Sequence, residues 1–332
     1  MLGAIFAICS AATFALNNVA ARRGVITGTP IQGMAVTIPV GLLGFVPMAL
    51  LTGWVARFPH LGPISVAWMA GVGLLHFVFG RYCNYRANQA AGVNLTAPVI
   101  QLQVFVSVVL AVLILGEPCT LIQLAGGVVM VAGALLTQRQ PMKPAAAAAA
   151  KKAVGAHVFV PHRTTGYTFA TLAALAYGTS PIMARTALAH TDPLAGIFGG
   201  MIAYGAATAA MILFLVSPTL RRNLRALHRE NMRWFLYSGV FVALAQGLFY
   251  SALAIAPIML VAPLMQLSLV FRFGFANTLT PHHEVFGWHV ILGSALSILG
   301  ACAVSIDTSL IVQALHLPAS VDAFLGWRIS GR

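Results

Sequence analysis

Acidic side chains are almost missing from this chain: Asp and Glu together number six in 332 residues, and all charged residues make up 8%. Soluble domains carry about 25% charge, so an ordinary soluble domain is excluded. Cysteine is scarce as well. Cys9, Cys83, Cys119 and Cys302 show no close paired spacing, which excludes a disulfide framework and a zinc signature. No phosphate-binding loop or ATPase motif occurs, which disfavours ATP-driven pumping. The densest His/Glu stretch, HHEVFGWH, fails as a zinc-protease motif because Gly287 stands where the second His is required. No cofactor and no catalytic residue are expected.

What the chain has in quantity is apolar length. Hydrophobic residues reach 59%, and stretches of about 20 residues suffice to cross a hydrocarbon core. Ten such stretches are expected: roughly Leu2 to Ala21, Ile31 to Gly53, Val66 to Asn84, Val93 to Leu115 and Ile122 to Thr137, then Thr168 to Ala187, Leu194 to Val216, Trp234 to Ala254, Ile258 to Leu279 and Phe286 to Ile306. Backbone polar groups in lipid must pair within the segment, so these spans are helices, and the expected fold is an all-α integral membrane bundle. The first stretch lacks the basic leader of a secretory signal and is read as a retained span. Residues 138–166, rich in Pro, Ala and basic side chains, read as a linker, and residues 307–332 as a tail.

The two halves, 1–137 and 167–306, repeat each other. Arg22 aligns with Arg185, Pro30 with Pro193 and Gly33 with Gly196. Pro98 then meets Pro263 and Gln101 meets Gln266, followed by Glu117 with Glu284, Gly126 with Gly293 and Gly133 with Gly300. Five spans per half is an odd number, so the second copy enters the membrane in the opposite sense. Inverted repeats of this kind are the architecture of many secondary transporters, which bind substrate near the midplane between the copies.

The motif LGEPCTLIQLAGGVVMVAGALL, its weaker partner PHHEVFGWHVILGSALSILGACAV and the five-plus-five layout resemble the EamA-type branch of the drug/metabolite transporter superfamily. The resemblance implies a ten-helix carrier in a bacterial inner membrane that moves small metabolites, often exporting amino acids or related compounds. His282 and His283 depart from the family pattern before Glu284.

The net charge of +13 does not form a patch within a soluble domain, so nucleic acid is not an expected partner. Thirteen of the nineteen cations, counting Arg22, Arg86 and the RRNLRALHRENMR segment, fall in odd-numbered loops. The positive-inside rule then places both termini outside, whereas the family resemblance implies cytoplasmic termini. Arg81 and Arg272 lie within spans that contain no Asp or Glu, and charged groups inside a bilayer are functional suspects. They favour an anion or a carboxylate-bearing zwitterion; the structural alternative is snorkelling to an interface.

Arg81 and Tyr85 share a helical face, a spacing repeated by Gln246 and Tyr250. Asn17 and Asn18 add polar groups in the first span, and His76 is the lone candidate for a proton relay, since no carboxylate is expected within the spans. Pro98 and Pro263 mark interrupted helices. Glu117 and Glu284 are read as structural or gating residues, with Pro118 opening a helix that the Glu117 carboxylate complements. The expected function is carriage, with export the expected direction, of a small polar metabolite, amino-acid-like or an organic anion. The rivals are a drug or cation exporter of the same fold and a membrane scaffold without transport.

Overall fold

The computed structural model describes residues 2–51, 62–116, 119–138, 160–188, 195–255, 264–279, 287–305 and 328–329. Glu117, Pro118, Pro263, His282, His283 and Glu284 lie outside these, so their expected roles are not addressed by the coordinates. Among the described residues, five helices are long and apolar enough to cross a membrane, or six if one pair bent by 102° counts as a single span.

In the first half the chain runs through α1 (Leu2–Thr27) and α2 (Pro30–Leu51). Between them sits a capping box. The Gln32 amide donates to Thr29 Oγ1 at 3.2 Å, and the Thr29 amide donates to Gln32 Oε1 at 2.9 Å. Two orphan donors are thereby satisfied, with Pro30 in the first helical position. α1 ends at Thr27 rather than near Ala21, which corrects the position of Arg22: it is a helix residue, 1% exposed, and donates to the Gln89 carbonyl at 3.1 Å.

The third crossing is a continuous helix from Pro63 to Ala91 with an unusual middle. α3 (Pro63–Val72) passes into a π-helical segment (Gly73–Gly80) and then α4 (Arg81–Ala91). The Arg81 amide reaches back five residues to the His76 carbonyl. In an ordinary α-helix, residues five apart point in different directions. The wider π turn brings position 76 toward the face of position 81, and such turns gather at functional sites.

Gly92, at φ 84°, then redirects the chain into α5 (Val93–Ile100). Pro98 within α5 has no amide to donate. The ladder tightens just beyond it, where Leu102 bonds Val99 and Val104 bonds Gln101, each at 3.1 Å, before α6 (Gln103–Leu115) resumes. The interruption anticipated at Pro98 therefore falls at Gln101 and Leu102.

Gly116 closes α6 at φ 67°. After the short strand β1 (Cys119–Thr120), α7 (Leu121–Gln138) starts with its own capping box: the Gln123 amide donates to Thr120 Oγ1 at 3.3 Å, and the Thr120 amide donates to Gln123 Oε1 at 3.0 Å. The start of α7 at Leu121 is thus capped by Thr120 and Gln123. A two-residue antiparallel ladder joins β1 to β2 (Arg328–Ile329).

The second half supplies α8 (Arg163–Leu188), α9 (Ala195–Phe214), α10 (Pro218–Arg225), α11 (Arg229–Ile255), α12 (Leu267–Leu279) and α13 (Trp288–Ser305). α1 packs along α11 and α12, while α8 packs along the π segment, α4 and α6. α2 lies against α11 and α9, and α9 against α3 and the π segment. α7 and α13 form a separate seam. Large apolar side chains such as Leu43, Leu113, Leu213 and Leu299 face outward, while the helix contacts are rich in alanine and glycine. Lipid offers apolar surface no worse than another helix does, so small residues that permit close backbone approach select the interior.

Candidate functional site

A cavity of about 240 Å³ lies where α1, the third crossing, the α5–α6 break, α8, α11 and α12 converge. Of the seven binding residues expected from sequence, Arg81, Tyr85, Gln246, Arg272, Asn17 and Asn18 all line it. Tyr250 falls on α11 one turn beyond Gln246, with its side chain outside the described set.

Arg81 is 6% exposed and points inward rather than snorkelling. Its guanidinium donates to Thr37 Oγ1 at 3.3 Å and to the Tyr204 hydroxyl at 3.1 Å. It also lies over the Phe77 and Tyr204 rings, 5.1 and 5.6 Å from their centroids, and those two rings stack at 3.8 Å. Aromatic faces and hydroxyl oxygens lower the cost of burying the cation without neutralising it. Among the described residues lining the cavity there is no Asp or Glu. The site therefore presents positive charge in a low-dielectric setting, where a carboxylate or phosphate is the complementary ligand.

Around the cation the polar groups are tied to one another. The Tyr85 hydroxyl donates to Thr37 Oγ1 at 3.2 Å and lies 3.5 Å from Ser238 Oγ, which donates to Asn17 Oδ1 at 2.7 Å. This chain links α4, α2, α11 and α1. Asn18 instead donates to its own helix, to the Phe14 carbonyl at 2.8 Å. On the opposite wall His76 Nδ1 sits 2.7 Å from Ser180 Oγ, and the Ser180 hydroxyl donates to the Tyr177 carbonyl at 3.2 Å. The repeat-matched Gln101 and Gln266 also line the cavity, the Gln101 side-chain amide donating to Gln266 Oε1.

Several cavity and supporting residues were not foreseen. Tyr177 and Gln103 line the wall, and Thr37 and Tyr204 hold Arg81 from α2 and α9. Tyr204 had one legible signal: with Thr208 it supplies the only hydroxyls in the otherwise apolar segment MIAYGAATAAMILF. Its contact with Arg81 yields a prediction: Tyr204→Phe leaves the ring stack and removes one hydrogen bond. The expected loss in ligand affinity is about 2- to 10-fold, the range for one bond of about 0.5–1.5 kcal/mol. Thermal stabilisation of purified protein by a carboxylate ligand reads that loss.

Among the described residues no group of three His, Cys, Asp or Glu side chains is placed to hold a metal. The helices and their outward apolar faces define an integral membrane protein of the all-α class. The EamA-like transporter family model matches residues 1–139 and 164–306, and the chain belongs to that family. No curated protein matches at a significant level. Thirteen chains of solved structures match. One of them, described only as "Crystal structure of protein", is 17% identical with a TM-score of 0.57, the match covering 93% of this chain and 98% of the other. That likeness concerns the fold.

Proposed function

We propose that the chain is a secondary transporter of small anionic or amino-acid-like metabolites, built as two inverted five-helix halves that alternate access to the central cavity. The observation that carries the substrate class is the pairing of Arg81 with Arg272 in one cavity whose described lining has no carboxylate. Efflux across a bacterial inner membrane is the direction and place favoured by the family resemblance.

The inverted arrangement is supported by which elements meet. α1 packs on α11 and α12 as its repeat mate α8 packs on the third crossing and α6. A two-fold relation also requires that residues on the axis touch their own mates, and Gln101 bonds Gln266. Off the axis, contacts must be exchanged. Gly126 abuts Gly300, and Gly133 abuts Gly293, each glycine meeting the mate of the other. The β1–β2 ladder pairs Cys119 and Thr120 with Ile329 and Arg328, a contact that an even number of crossings between the two strands would allow.

The test is counterflow. Proteoliposomes preloaded with an unlabelled acidic amino acid or dicarboxylate are expected to accumulate the labelled compound. If a panel of anions and amino acids gives none while a cationic drug moves, the substrate reading is wrong.

A further inference from the structure

Behind the site helix, and separate from the central cavity, lies a cleft of about 510 Å³ between α2, the third crossing, α9 and α10. Its walls are apolar, with Met34, Val78, Phe79, Met211 and Phe214 among them. Phe79 and Phe214 remain about half exposed at its outer edge, on the surface that faces lipid. α10 forms its roof. This eight-residue helix begins at Pro218 and turns 102° away from α9, so it lies across the bundle end as an interfacial helix does. It is fastened there: Gln32 Nε2 donates to the Asn223 carbonyl at 2.7 Å, and the Thr29 hydroxyl donates to Asn223 Oδ1 at 3.2 Å.

The two faces of α10 differ in kind. Thr219, Leu220 and Asn223 face the cleft, while Arg221, Arg222 and Arg225 are exposed. The Arg221 Nε donates to the Leu215 carbonyl just beyond α9, which ties α10 to that helix end. Apolar volume beneath α10, with three guanidinium groups exposed on the other side of that helix, matches one amphiphile in both parts: an acyl chain below and an anionic phosphodiester above.

We propose that this cleft is a binding site for an anionic phospholipid, with one acyl chain under α10 and its phosphate at Arg221, Arg222 and Arg225. The same helix that offers His76 and Arg81 to the central cavity presents Val78, Phe79 and Tyr82 to the cleft. A seated chain therefore braces the back of the π segment. This inference rests on the cleft alone and stands whatever solute the central cavity takes.

Delipidated protein in a neutral detergent tests it. Phosphatidylglycerol at about 100 times its dissociation constant is expected to raise the Tm by about 5 °C, and phosphatidylcholine of the same chains by much less. R221Q/R222Q/R225Q changes exposed residues only and should reduce the phosphatidylglycerol shift to that of phosphatidylcholine. T219W, also at an exposed position, fills the cleft mouth and should weaken the shift with all arginines intact. Equal shifts from the two lipids, a shift that survives either variant, or an equal shift from glycerol 3-phosphate without chains would each overturn the proposal.

Discussion

Replacing Arg81 by Gln is expected to reduce anion counterflow and ligand-induced stabilisation by about 10- to 100-fold, while leaving the ligand-free protein as stable as before or more so. The first part follows from the size of a hydrogen bond to a charged group, about 1.5–3 kcal/mol, which is worth one to two powers of ten in affinity. The second follows from what surrounds the guanidinium. It is buried among Thr37, Tyr204, Phe77 and Tyr85, none of which carries a negative charge, and insertion of an arginine at a helix centre costs roughly 2.5–3.5 kcal/mol. Removing an uncompensated charge relieves that cost.

A purely structural arginine would behave the other way, since its loss would lower the Tm in the absence of ligand. Arg81→Lys separates charge from shape. The ammonium keeps the positive charge but loses the planar fork that spans Thr37 and Tyr204 and stacks on Phe77. Transport by Arg81→Lys is expected to lie between wild type and Arg81→Gln. A Gln variant that folds normally and transports at the wild-type rate would remove Arg81 from the binding set.

Much of this site was legible because the relevant residues are expensive where they stand. Arg81, Arg272, Gln246 and Asn17 are conspicuous in apolar stretches, and the cost of burying each points inward. The duplicated positions were legible for the same reason, since matched prolines, glutamines and arginines seldom align by chance in such a composition. What the sequence could not display was the π turn. Gly73 to Gly80 reads as ordinary apolar helix, yet its wider turn brings His76 and Arg81 to the same cavity. Tyr204 was hidden because its value lies in a partner on another helix, as was Thr37. Helix ends were misplaced where side chains on other elements extend them: α1 continues six residues past the expected boundary, where Gln89 donates to the Val25 and Gly28 carbonyls at 3.0 Å each.

The seam between α7 and α13 gives the second large effect. A methyl group on Gly126 would sit 2.7 Å from the Gly300 carbonyl oxygen, and one on Gly133 would sit 2.5 Å from the Gly293 carbonyl oxygen. Backbone atoms cannot move aside as a flexible side chain does, so any larger residue must separate the two helices along their length. Gly126→Leu or Gly133→Leu is expected to cost at least the 1–3 kcal/mol typical of an overpacked core, seen as a lower Tm and less monodisperse protein on size exclusion. The smaller changes Gly126→Ala and Gly300→Ala act on one crossing, so their double variant should lose less than the sum of the two. Gly205 supplies the opposite sign. It lies within α9 with no atom within 4 Å of an added methyl, and alanine there gains about 0.5–1 kcal/mol of helix propensity without a clash. Gly205→Ala should therefore raise the Tm while Gly126→Ala lowers it, a contrast between two helical glycines that glycine content alone cannot produce. Equal tolerance at the two positions would mean that α7 and α13 do not cross where the carbonyls of Gly293 and Gly300 place them.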